Sequence, residues 1–153
     1  MEKRTIAPAE GKLGVLLPGM GAVATTFIAG VMLARRGLAL PIGSLTQMGR
    51  IGLGRRTEKR NPLIREAVPL AALSNLVFGG WDIFPDSAYE AACKARVLDE
   101  KHLDQINDEL AAVKPMKAVF DQNFVRKLDG HWKKHAATKL EFAEQLREDI
   151  RRF

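Results

Sequence analysis

The sequence is poor in several things that define whole classes of protein. It has one cysteine, one tyrosine and two tryptophans in 153 residues. Cys93 therefore has no partner for an intramolecular disulfide, which fits a reducing, cytoplasmic setting. It sits in an alanine-rich stretch with no histidine close by, and reads as a buried structural thiol rather than a nucleophile. Acidic residues are also missing over a long distance, with none between Glu10 and Glu58. Residues 1–76 hold 11 Lys and Arg against 4 Asp and Glu, whereas residues 77–153 hold 13 against 14. The whole excess of positive charge thus lies in the first half, together with most of the glycine, as expected where a phosphate or pyrophosphate is held. These cations are not interleaved with base-stacking aromatics, so no nucleic-acid partner is expected.

Charge of either sign is absent from Leu13 to Ala34, which is followed by Arg35-Arg36. By length and flanks this run resembles a membrane span. Its interior does not. Pro18-Gly19 cuts it into two pieces, each too short to cross a bilayer as an unbroken helix, and Gly14, Gly21, Gly30, Thr25 and Thr26 dilute its hydrophobicity. No membrane insertion and no signal peptide are expected. What the run predicts instead is a buried strand, a tight turn and a helix.

The apolar content of 46% suits one domain with a core, and the chain has no room for two of ordinary size. Residues 1–11 read as a flexible lead-in and 12–153 as the domain. Leu13–Leu17 lacks alternation and reads as a central parallel strand buried on both faces. Ala22 to about Arg36 reads as a helix with Val23, Phe27, Gly30, Val31 and Ala34 close to one face, ended by Gly37. Gly43 to Arg60, with four glycines and the cluster Arg55, Arg56, Lys59 and Arg60, reads as a strand or hairpin and an exposed loop. Leu76-Val77-Phe78 is a second buried strand, closed by Gly79-Gly80. Helices follow over Ser87–Arg96, over Asp99–Val113 with Leu103, Ile106 and Leu110 at helical spacing, and over Lys139–Phe153. For the last of these Thr138 and Glu141 have capping-box spacing, and Leu146, Ile150 and Phe153 form one side. Alternating strands and helices indicate an α/β fold. The chain stops at the end of a helix, where a doubly wound fold would enter its next strand, so the domain is expected to be incomplete at its C-terminal end.

The residues between the first strand and helix carry the chemistry. Gly19-x-Gly21-x-x-Ala24 has a mechanical task at each fixed position. Gly19 permits the sharp turn, Gly21 lets a pyrophosphate approach the backbone, and Ala24 lets the helix pack closely on the strand. The free N–H groups of the first helical turn then face the phosphates. No lysine follows in the manner of a nucleoside triphosphatase. The acid that usually contacts the ribose about 20 residues further on is replaced by Gly43-Ser44-Leu45-Thr46. The next acid able to end a strand is Asp82.

Three blocks, Leu13–Gly30, Gly43-Ser44-Leu45-Thr46-Gln47 and Leu76-Val77-Phe78-Gly79-Gly80-Trp81-Asp82-Ile83, resemble the N-terminal part of the inositol-phosphate synthase family. A weaker likeness continues through Phe120-Asp121-Gln122-Asn123-Phe124 and the final helix. The resemblance implies a Rossmann-like NAD-binding domain. It also implies NAD-dependent isomerisation of D-glucose 6-phosphate to 1D-myo-inositol 3-phosphate, by internal oxidation, aldol cyclisation and reduction, in a homotetramer. It assigns the pyrophosphate to Gly19, Met20, Gly21, Ala22 and Val23, and the adenosine side of the cofactor to Asp82, with Trp81 a packing residue beside it. Relatives with a longer loop carry paired asparagines where Ala22-Val23 stand here. The family's catalytic lysines lie downstream, and Lys133, Lys134 and Lys139 do not match them, so no catalytic residue is expected in this chain. No metal site is expected either, because His131 and His135 are spaced four apart without a third ligand, and His102 lies far from both in sequence. The alternative reading is a stand-alone dinucleotide-binding or regulatory module without catalysis.

Overall fold

The computed structural model describes Ala7 and residues 10–153, so most of the expected flexible lead-in, 1–11, lies outside the described residues. Strand β1 (Leu13–Pro18) leads into helix α1 (Ala22–Arg35), and the chain returns to a second parallel strand, β2 (Leu76–Asp82). A third strand, β3 (Met116–Lys117), pairs parallel with the far end of β2, giving the order β1-β2-β3. Counted outward from β1, this is the first half of a doubly wound dinucleotide fold.

Two expectations about the strands are corrected. β1 is not buried on both faces: its middle residues are half-buried, and among the described residues it pairs only with β2. The reason is topological, because the chain adds its next two strands on the same side. Nor does Gly79-Gly80 close the second strand, which runs through it to Asp82 in register with Leu16, Leu17 and Pro18. These glycines allow close approach rather than ending pairing. A Cβ at Gly80 would collide with the Leu17 carbonyl, and one at Gly79 would lie 2.7 Å from the Phe153 ring. β3, only two residues long, is absent from the sequence reading altogether.

α1 is 14 residues long, and no helix of the described residues is long and apolar enough to cross a membrane. Of the residues read on one face of it, Val31 is buried and Ala34 half-buried, but the buried face is centred elsewhere. Ala24, Thr25, Ile28, Ala29, Val31, Met32 and Leu33 turn inward, whereas Val23 is 86% exposed and Phe27 is exposed at the rim. A helix that is apolar nearly all round has no stripe to mark its inner face, so packing chooses it. Its C-terminus ends as expected, with Gly37 at φ +70°. The Gly37 and Leu38 N–H groups return to the carbonyls of Ala34 and Leu33, at 3.1 and 3.0 Å, the Schellman closure of a helix. Arg35 then fastens this end to β2, donating to the Leu73 carbonyl at 2.7 Å and to that of Leu76, with its guanidinium over Phe78.

Residues 37–75 connect α1 to β2 along the outside. They form two short helices, α2 (Leu45–Met48) and α3 (Ile64–Ala67), two 3₁₀ turns, and antiparallel bridges Arg50–Leu63 and Leu53–Arg60. Of the strand or hairpin expected within 43–60, only these two isolated bridges form, and its first part is helical. Arg55, Lys59 and Arg60 are exposed.

After β2, helix α4 (Ala88–Ala95) begins at Ser87, whose hydroxyl accepts from the Glu90 N–H while the Glu90 carboxylate accepts from the Ser87 N–H. This reciprocal capping box satisfies donors the helix leaves open. The single helix expected over Asp99–Val113 is broken at Gln105-Ile106 into α5 (Glu100–Asp104) and α6 (Asn107–Ala112). The break does not disturb the apolar set, since Leu103, Ile106 and Leu110 are all fully buried. With α1, these helices cover one face of the sheet around Ile28, Met32 and Phe78. Cys93 is half-buried at the edge of this core, not fully buried.

Helix α7 (Lys139–Arg152), capped by Thr138 as its spacing predicts, covers the other face. There the sheet offers Gly14 and Gly79, and the ring of Phe153 lies against both.

Candidate cofactor site

The glycine loop joins the carboxyl end of β1 to the amino end of α1, the place where open α/β sheets bind ligands. Gly19 has φ +92°, a conformation that side chains disfavour, so this position needs glycine for its backbone. Gly21 is different. Its φ of −78° is open to any residue, and a Cβ built there meets no protein atom within 4 Å. Neither conformation nor internal packing demands a glycine at this position. What Gly21 leaves room for lies outside the protein.

The first turn of α1 carries N–H groups that no intrahelical carbonyl can reach. Gly21, as the N-cap, brings no side chain to satisfy them, and the turn holds no acidic residue. The helix thus begins as an uncapped positive pole, directed at the space beside Gly21. Thr25 does not compete, since its buried hydroxyl donates to the Gly21 carbonyl at 3.0 Å.

Asp82, at the carboxyl end of β2, reaches this loop directly. Its Oδ2 accepts from the Met20 N–H at 2.6 Å, and its Oδ1 accepts from the Phe84 N–H at 3.0 Å. The structure therefore brings together residues that lie 62 positions apart in the chain. Met20 is not open to a ligand through its side chain, which is 2% exposed and belongs to the core. Its backbone N–H is engaged by Asp82. Gly19, Gly21 and Ala22 face the cleft, and Val23 stands out from the helix into solvent.

A cavity of about 920 Å³ opens at these strand ends. The loop and Asp82 form its crest. Ala91, Lys94 and Ala95 of α4 form one wall, Leu146 and Ile150 of α7 another, and Val119, Phe120 and Leu128 close it beyond β3. Sequence reasoning missed the α4 and post-β3 walls, and placed Leu146 and Ile150 on one side of the last helix without connecting them to the site. The charge pair Lys94–Asp86, at 2.6 Å, stands on the rim. Trp81 also lines the cavity. Its indole N–H donates to Asp149 of α7 at 2.7 Å, and Lys134 reaches the same oxygen at 2.8 Å. Lys134 is thus committed to an internal ion pair. Among the described residues no three His, Cys, Asp or Glu side chains gather as metal ligands.

The donors, the space and the apolar walls fit a dinucleotide. The open position at Gly21 suits a pyrophosphate, and Asp82 has acceptor capacity left for hydroxyls.

Comparison with known proteins agrees. The family model for myo-inositol-1-phosphate synthase, an NAD-binding domain, matches residues 13–153. The chain is 55% identical over 152 residues to inositol-3-phosphate synthase 1 of Bacteroides thetaiotaomicron, covering 99% of this chain and 35% of that protein. It is 33% identical over 156 residues to inositol-3-phosphate synthase 1 of Oryza sativa, covering 93% of this chain and 31% of the other. Among solved structures, inositol-3-phosphate synthase of Caenorhabditis elegans superposes with a TM-score of 0.77 at 23% identity, over 92% of this chain and 31% of that one. The chain spans about a third of the length of the curated relatives it matches. It belongs to the myo-inositol-1-phosphate synthase family, and the portion it carries is the NAD-binding domain.

Proposed function

We infer that this chain holds NAD for an inositol-3-phosphate synthase, which isomerises D-glucose 6-phosphate to 1D-myo-inositol 3-phosphate. The observation that carries the cofactor role is Gly21, a glycine that no backbone angle and no protein neighbour requires. The N–H groups at the start of α1, from Ala22 and Val23, take the pyrophosphate in the space beside it. Gly19 sets the turn that aims them. Asp82 accepts from hydroxyls of the adenosine ribose. The apolar side chains Val119, Phe120, Leu146 and Ile150 exclude water from the neighbouring cleft. When bound, NAD supplies a reversible hydride acceptor, so that a sugar carbon can be oxidised and restored without net redox change. The base and the cations that act on the sugar belong to the part of the family enzyme that this chain does not match. A homotetramer, a cytoplasmic location and a place in inositol and phospholipid biosynthesis go with this reading, the second supported by the lone Cys93.

The test is a chimera in which this chain replaces the matching third of the Bacteroides thetaiotaomicron enzyme. It is expected to form inositol phosphate from glucose 6-phosphate with NAD, and to lose that activity when Gly21→Val is introduced. A chimera that folds and binds NAD but makes no product contradicts the proposed activity. One that turns over equally well with Gly21→Val contradicts the assigned cofactor site.

A further inference from the structure

We propose that Asp82 is a positioning residue for the glycine loop, as well as an acceptor for the cofactor. The consequence for NAD rests on the proposed function above, whereas the loop contact stands on geometry alone. Pro18-Gly19-Met20-Gly21 places glycine on both sides of Met20, and glycine gives a chain more backbone freedom than any other residue. A loop built this way needs ties from outside, and the structure supplies three. The Gly19 N–H donates to the Trp81 carbonyl at 2.8 Å. The Met20 side chain is sunk in the core. The Met20 N–H donates to Asp82 Oδ2 at 2.6 Å, a charge-assisted bond of the short, strong kind. The carboxylate is itself oriented by the Phe84 N–H on its other oxygen, at 3.0 Å.

Asp82 thereby fixes the peptide between Gly19 and Met20, and with it the direction in which Gly21 and the first turn of α1 point. A carboxylate offers about four acceptor positions. The two backbone bonds use two of them, and one remains on each oxygen. The same group can therefore hold the loop and receive ribose hydroxyls together, so that the two halves of the cofactor site are set by one side chain. Truncating Asp82 should disorder the pyrophosphate side as well as remove a ribose contact.

The experiment reads the Met20 amide by NMR in the ligand-free full chain, in wild type, Asp82→Asn and Asp82→Ala. In wild type, a through-hydrogen-bond coupling from the Met20 nitrogen to the Asp82 carboxyl carbon is expected. Asparagine keeps one oxygen that can accept the Met20 N–H, so Asp82→Asn should retain most of the protection of that amide from hydrogen exchange. Asp82→Ala should speed its exchange by about tenfold or more, while core amides such as Ile28 and Leu103 exchange as before. Unchanged Met20 exchange in a folded Asp82→Ala protein overturns the proposal. So does absence of the coupling in wild type, a result that needs no variant to fold. Titration of NAD into the same samples separates the two readings. Loss of Met20 protection in Asp82→Ala, with no NAD binding even to wild type, upholds the loop role and rejects the cofactor role; NAD binding to wild type with unaltered Met20 exchange in Asp82→Ala does the reverse.

Discussion

The two faces of the sheet are built on different principles. On one, α1, α4, α5 and α6 bring Ile28, Leu103, Ile106 and Leu110 to full burial around Phe78, which Phe27 meets edge-on at 5.6 Å. On the other, α7 buries none of its residues fully, and meets glycines through one ring and one polar cluster. The first face is an ordinary apolar core, and its residues are held by many weak contacts at once. The second is a placement device. Gly14 and Gly79 let Phe153 lie on the strands, Asp149 ties α7 to Trp81, and Leu146 and Ile150 are carried to the cavity as a result. Stability is concentrated on one side of the sheet, and part of the site is hung on the other.

That contrast can be broken by mutation. Leu103→Ala should cost about 2–5 kcal/mol, because a fully buried side chain leaves a cavity that its neighbours fill only in part. Chemical denaturation would measure it, and a loss below that range would mean the first face is not the main core. Asp149→Ala should cost less, about 1–3 kcal/mol, by leaving the Trp81 N–H and the nearly buried Lys134 without their acceptor. Its distinguishing sign is local: amide exchange should quicken in α7 and leave α1 unchanged. Equal quickening in both would show that the two faces form one cooperative unit.

The smallest effect concerns the cap of α4, a wall of the cleft. The backbone N–H and hydroxyl of Ser87 hold the Glu90 carboxyl below its usual range. A lowered folded value means the contribution is complete above the normal glutamate range and disappears as pH falls through the lowered one. Stability followed from neutral pH into acid should therefore decline less steeply in Glu90→Gln than in wild type. Parallel curves would show that the capping box is not coupled to folding.

How far the sequence disclosed all this depended on the distance over which each feature acts. Caps are local, and the Thr138–Glu141 box could be placed from spacing, whereas for α4 the sequence left the cap open between Asp86 and Ser87 and the structure puts it at Ser87. The turn at Gly19 was legible for the same reason. The inner face of α1 was not, since an almost wholly apolar helix leaves the choice between Val23 and Phe27 or Ile28 and Met32 to its neighbours. That β1 pairs on one side only among the described residues was not legible, because order in a sheet is decided by where later strands go. β3 consists of two residues and carries no period. The strand-like passage through Gly79-Gly80 depends on Leu17 and Phe153 lying opposite, which no local pattern encodes. For the site, the loop residues were readable by mechanics, whereas Asp82 came from family resemblance. Its bond to Met20 spans 62 positions, beyond any spacing rule.

The central claim is that the space beside Gly21 belongs to NAD. It is tested most directly by calorimetric titration of the folded chain with NAD, alongside a folded Gly21→Val variant. Saturable binding of one NAD per chain is expected, weakened about 100-fold or more by the valine, which corresponds to about 2.7 kcal/mol. Absence of saturable binding to folded protein, or an affinity untouched by Gly21→Val, would contradict the claim.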